Sequence, residues 1–496
     1  MSQVTKDLQA SPLPKDLITV RNVHLPFEDN EQARKRWTIE CSAGRVSKIS
    51  PSNVQGDTAG PFEAPTESLI DGTKGLLLPS LCHSHIHLDK CFIFDRCGPL
   101  ISGDFSEAMK VTNIAKSTFP NDLDDVYTRG ARIIRESVEH GVTAMRTHVE
   151  IDTSVQFACL HVAQKLQEKY RSQCDVQIAI FAQEPLFSSK DDQTPGENLT
   201  LLATAASYPG ISVIGSAPYV EPSIEQAKKN INLVFDIADA RGLDLVDFHL
   251  DYNLDPTSEP LIYEVIAEAK RRYQCGARSI NLSTKKEHAP VPVTNGNPDL
   301  ASLSAKRPCP HITIGHATRL QLFSADEWKA LADAISELPI TLVGLPQSDM
   351  YMQGRAYAGT PLGAPRSTLR VPYLANKYGV EVAMSVNNVE NAFTPQGSLD
   401  PLTLCTFGVG IFQAATPEDI RTLARSVTIT SQRAIGLKDE DIPNNLVLEV
   451  GDPANFVVLH GRTTLQSAIL QPCFDRTTVK AGKLAAYTRS TRWFSS

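Results

Sequence analysis

The stretch L-L-L-P-S-L-C-H-S-H-I-H-L-D-K-C-F, residues 76–92, decides how the rest of the chain is read. An apolar run ends at Pro79, and His85 and His87 follow with one residue between them. Alternate side chains of a strand share a face, so both imidazoles can bind one metal ion. Taken alone, an H-x-H is a weak signal, because histidine-rich strand ends occur by chance. Three further histidines close later apolar runs: His148 after V-T-A-M-R-T, His249 after L-D-L-V-D-F, and His316 after H-I-T-I-G. Each run is short, rich in Val, Ile and Leu, and separated from the next by a helix-length segment. Strand, polar residue and helix in repetition predict a parallel (β/α)8 barrel, an α/β fold whose active site gathers at the carboxyl ends of the strands.

Length and composition agree. A chain of 496 residues, 42% hydrophobic, accommodates one large barrel and a smaller domain. The net charge of -8 and the lack of a Lys/Arg-rich run argue against nucleic acid as a partner and for a small-molecule substrate. No window has the length of an apolar membrane span, and the opening M-S-Q-V-T-K-D-L-Q-A is polar, so the reading is a cytoplasmic protein with no membrane partner. Ten cysteines without a C-x-x-C pair read as reduced thiols.

Residues 17 to 72 alternate polar and apolar between turn-forming Gly, Asn and Ser, and the same pattern returns near the C-terminus in N-N-L-V-L-E-V-G-D-P-A-N-F-V-V-L-H-G. The expected organisation is one small β-sandwich built from residues 1–76 and 438–496, with the barrel in residues 77–437. Eight barrel strands are expected: GLLLPSLCHSH, GVTAMRTHVE, VQIAIFAQE, ISVIGSAP, LDLVDFHLD, HITIGHA, ITLVGLP and VEVAMSVNN. The segment 278–310, rich in Pro, Asn and Lys, reads as a surface insertion before the sixth.

As a set, several motifs resemble the amidohydrolase superfamily, within it the cytosine deaminase-like branch. They are H-x-H-L-D-K at the first strand, T-H-V-E-I-D-T after the second, F-A-Q-E after the third and H-L-D at the fifth. G-H-A-T at the sixth, L-P-Q-S-D-M-Y-M-Q-G-R after the seventh and N-N-V-E-N-A-F-T-P-Q-G after the eighth complete them. The resemblance implies a metal-dependent hydrolase or deaminase of a cyclic amide or amidine, and it is compatible with a homo-oligomer. His85, His87 and His249 match three ligands of one divalent metal, zinc or iron. His316 matches the histidine that polarises the attacking water. Gln183 matches a glutamine that binds the substrate ring, and Gln353 and Arg355 match a loop lining the pocket. Phe393, with Phe181 and Tyr351, is a candidate aromatic wall for a flat ring. His148 matches no ligand and reads as packed or second-layer, while Asp89 and Lys90 read as pairing with neighbours in the pocket wall.

Two positions depart from the family pattern. Where the family has an aspartate that ligates the metal and takes the water's proton, this chain has Asn387. Where it has a glutamate that shuttles the proton to the leaving nitrogen, this chain has Tyr252. A positioned acid or base contributes about 10²–10⁴-fold, so losing both without replacement raises the barrier by roughly 5–11 kcal/mol as an upper limit. Three readings therefore compete. The first is a hydrolase in which Asp251, Asp89 or His316 carries the proton and Asn387 is a neutral metal ligand. The second is a non-hydrolytic isomerase, cyclase or lyase using Tyr252 and His316, with or without metal. The third is a non-catalytic binding relative.

Overall fold

The structure, a computed structural model, describes residues 17–52, 64–273, 307–354, 366–491 and 493–495. Eight parallel strands follow one another around a barrel: Leu81–His87, Val142–Glu150, Asp175–Ala182, Val213–Ser216, Leu245–Leu250, His311–His316, Ile340–Gly344 and Val382–Met384. They coincide in order with the eight expected segments. The first and last meet through a parallel bridge between Ile86 and Asn387, in which the Asn387 amide donates to His85 and the His87 amide donates to Asn387. Asn387 thus closes the barrel with its backbone as well as lying among the histidines.

The intervening helices form because their ends are capped and one face is apolar. In Leu123–Glu139 the Asp122 side chain accepts from the Asp125 amide, while Val126, Ile133, Ile134 and Val138 are buried at three- and four-residue steps. Ile224–Arg241 begins at a Ser223 cap and ends at Gly242, whose φ of 68° closes the last turn in the left-handed region.

The first expected strand divides in two. Gly75–Pro79 pairs antiparallel with Phe456–His460, whereas Leu81–His87 enters the barrel. Pro79 has no N–H to continue a ladder. Ser80 then donates to Asn455 and Leu81 to Gly141, so the chain changes sheets across these residues. Two four-stranded sheets, one of Ile18–Val23, Trp37–Ser42, Arg45–Pro51 and Leu69–Asp71, the other of Gly75–Pro79, Phe456–His460, Arg476–Lys480 and Lys483–Thr488, share one apolar cluster that includes Val20, Ile39, Phe456 and Val479. Both ends of the chain therefore contribute to this core. Most of the expected insertion 278–310, and Arg355, lie outside the described residues.

Arg476 ties these strands to the barrel. Its guanidinium donates to the His140 carbonyl at 2.7 Å and to Asp400 at 2.8 Å, with both charged residues buried. Removing one partner of a buried pair leaves an uncompensated charge. Arg476→Met is expected to cost about 3–5 kcal/mol, read as a lowered urea midpoint. Adding Asp400→Leu should recover only part of this, because Asp400 also caps the helix Pro401–Phe412.

Candidate active site

The carboxyl ends of three barrel strands carry non-glycine residues in the left-handed region: Asp251 at φ 53°, His316 at 67° and Asn387 at 67°. Such conformations are costly away from Asn and Gly and concentrate at functional sites. Alternation along the strands turns His85, His87, His148 and His249 inward, where each offers a ring nitrogen and all four lie within 4.8 Å of one another. Burial first, then the neighbouring histidines and Lys90, pushes His85 and His87 well below their ordinary range. His249 is lowered by burial and the surrounding imidazoles. Both ring nitrogens of His85, Nε2 of His249 and Oδ1 of Asn387 have no hydrogen-bond partner among the described residues. Neutral imidazoles with uncommitted nitrogens in a buried cluster are the donor set that a divalent metal such as zinc takes.

Beneath the histidines lies Asp247, fully buried, with Oδ2 2.8 Å from the Arg146 guanidinium and Oδ1 3.3 Å from His148 Nε2 and 4.0 Å from His249 Nε2. Burial alone would raise this carboxyl, but His148 and Arg146 outweigh it and hold it below its usual range. Arg146 also reaches Thr313 and Gln177. His148, expected as packed or second-layer, sits between this anion and the histidine cluster. Phe181 stacks beside His249 with ring centroids 4.0 Å apart, so it supports the cluster.

Asn387 and Tyr252 are linked through Ser348. Asn387 Nδ2 donates to Ser348 Oγ at 2.8 Å, which leaves Oδ1 as the available donor to a metal, and Ser348 Oγ lies 3.4 Å from the Tyr252 hydroxyl. Burial, and next the nearby Asp349, raises the Tyr252 phenol well above its usual range, so it stays protonated at neutral pH. The Tyr252 ring lies on His316, centroids 3.8 Å apart. His316 Nδ1 is 2.8 Å from Asp349 Oδ1.

Asp251 is occupied elsewhere. Its carboxylate accepts from the Leu261 and Ile262 amides at 2.8 and 3.2 Å, at the start of the helix Ile262–Arg272. Burial raises it to about 6 against the pull of those amides. Glu390, the acid next nearest to Asn387 in sequence, is exposed and faces Arg132. Asp89 accepts from the Glu150 amide at 2.8 Å. Gln183 joins Lys90 at 3.4 Å and Tyr219 at 3.3 Å, and Gln353 donates to the Tyr252 carbonyl at 3.3 Å. Phe393 packs on Phe105, which also touches Tyr219 and Tyr252. Of the expected aromatic wall, Phe393 thus joins Tyr252 and two rings that the sequence did not single out, Phe105 and Tyr219, of which Phe105 comes from a helix and carries no local signal. A second cluster, Glu150, Asp152 and Glu184, surrounds the Lys116 ammonium at 2.6–3.1 Å, which offsets part of its charge from within.

No family model matches the chain. Whole-chain relatives do. A pterin deaminase of Rhizobium rhizogenes is 25% identical over 449 residues, covering 90% of this chain and 87% of that protein. An N-isopropylammelide isopropyl amidohydrolase of Pseudomonas is 19% identical, covering 95% and 96%. The crystal structure of the 5-methylcytosine deaminase of Klebsiella pneumoniae with phosphonocytosine superposes with a TM-score of 0.75 at 21% identity, covering 96% of this chain and all of that one.

Over nearly its whole length the chain is similar to deaminases and amidohydrolases and shares their fold. A parallel barrel presents its site at the carboxyl ends of its strands, and here the ends of the first, second, fifth, sixth and eighth strands supply the histidines and Asn387.

Gly315 gives a direct test of this site. A Cβ there would lie 2.9 Å from the His85 ring, closer than side chains tolerate. Gly315→Ala is expected to displace His85 and lower bound metal per chain, read by elemental mass spectrometry, with circular dichroism unchanged. Retention of the wild-type metal content would show that His85 does not hold it.

Proposed function

We propose that this protein is a metal-dependent hydrolase of a non-peptide C–N bond in a small cyclic nitrogen compound. The cluster of buried, neutral imidazoles with uncommitted nitrogens carries the reading. The relatives act, by their names, on pterin, N-isopropylammelide and 5-methylcytosine, and this reading extends their reaction class to the chain. His85, His87 and His249 would hold the metal, with Asn387 Oδ1 as a neutral fourth donor. When bound, the metal supplies Lewis-acid polarisation of the attacking water. Asn387 brings no charge to the site, and Asp247 offsets this from below through His148. Phe105, Tyr219, Tyr252 and Phe393 form an aromatic surface beside His316 suited to a flat ring. Gln183 is the amide available to its polar edge, and Gln353 holds the Tyr252 backbone in place.

One observation favours a second reading, a non-hydrolytic isomerase, cyclase or lyase. The Tyr252 hydroxyl is buried and protonated where the family has a glutamate, which suits proton donation. Turnover in heavy-oxygen water separates the two, since hydrolysis places the label in the product and isomerisation does not.

Incubation with 5-methylcytosine, pterin and N-isopropylammelide is expected to release ammonia or amine from at least one. A chelator should abolish the release, and zinc or iron should restore it. Release that survives complete metal removal would sink the metal-dependent reading. Asn387→Asp tolerates the left-handed backbone and adds an anionic ligand. Zinc should therefore leave this variant more slowly than wild type in a chelator competition.

A further inference from the structure

Taking hydrolysis as the reaction, we propose that Asp349 is a positioning residue that fixes His316 as the Nδ1–H tautomer, and that this pair does the work of the missing carboxylates. Asp349 is wholly buried on the short helix Pro346–Met352 that follows the seventh strand, and its two oxygens have different duties. Oδ2 accepts from the Thr368 hydroxyl at 2.6 Å and from the Leu345 amide at 3.2 Å. Oδ1 is left for His316 Nδ1 at 2.8 Å. A carboxylate only accepts, so the proton of that contact belongs to the imidazole. The Tyr252 ring lies on His316 at 3.8 Å and opposes a flip that would exchange the two nitrogens.

With Nδ1–H committed, Nε2 carries the lone pair. As the water O–H breaks, its proton bonds to Nε2 and the oxygen bonds to the substrate carbon. The C–N electron pair then departs with nitrogen, which takes the proton back from Nε2, so one water is consumed and His316 is regenerated. Asp349 stabilises the imidazolium between the two transfers, as the aspartate of a Ser-His-Asp triad does for its histidine. Asp251 cannot serve in this way because the Leu261 and Ile262 amides already occupy its oxygens.

The donors on Oδ2 also fix how a substitution behaves. In Asp349→Asn the amide oxygen must stay toward Thr368 and Leu345, which places the NH2 toward His316 and forces Nε2–H. The test is long-range nitrogen–proton correlation on histidine-labelled, zinc-loaded protein, with the His316 signals assigned by their loss in His316→Gln. Wild type is expected to show Nδ1–H and unprotonated Nε2, Asp349→Asn the inverted pattern, and Thr368→Val the wild-type pattern. Nε2–H in wild type, which needs no variant to fold, overturns the proposal, as does an unchanged tautomer in folded Asp349→Asn. On a substrate that wild type hydrolyses, Asp349→Asn should lower kcat by about 10²–10⁴-fold with a smaller change in KM. An unchanged kcat would overturn the catalytic part. Nδ1–H without hydrolysis of any heterocycle would refute the hydrolase reading while leaving the tautomer assignment standing.

Discussion

The Arg146–Asp247 ion pair, both partners fully excluded from solvent, is the constraint on which the site depends. A buried anion is costly unless it is paired and hydrogen-bonded, and here the pairing is shared among elements far apart in the chain. Arg146 reaches from the second strand to Asp247 on the fifth, to Thr313 on the sixth and to Gln177 on the third. The strands that carry His148, His249 and His316 are thereby fastened one layer below those histidines. Asp247 also supplies negative charge close to a cluster of neutral imidazoles.

Above that layer, a chain of contacts joins Asn387 to Asp349. Asn387 turns its NH2 to Ser348, Ser348 neighbours the Tyr252 hydroxyl, and Tyr252 lies against His316, which meets Asp349. Asp349 lies on a different strand-end segment from Tyr252 and Asn387. Because Asp349 is held by Thr368 and the Leu345 amide, it is oriented before any ligand arrives.

The barrel was legible because its strands are short apolar runs, four of which carry histidines at or near their ends, and two-residue alternation alone puts His85 and His87 on one face. The division of the first strand at Pro79 was less visible, since the apolar run crosses from one sheet to the other without a change in composition. Asp251 illustrates a different loss. Its place two residues after His249 suggested a proton carrier, but a left-handed backbone at that residue turns it to the amides of the following helix.

The sequence by itself determined the strand order, the histidine positions and the absence of acids at 252 and 387, because these follow from local periodicity and residue identity. Only the tertiary structure decided which groups compensate. Barrel closure brings Asn387 to His85, far apart in the chain, and the seventh strand-end segment brings Asp349 to His316. Phe105 reaches Tyr252 from a helix well before the second strand. Such encounters depend on where strand ends converge in space, and no pattern confined to neighbouring residues contains that distance.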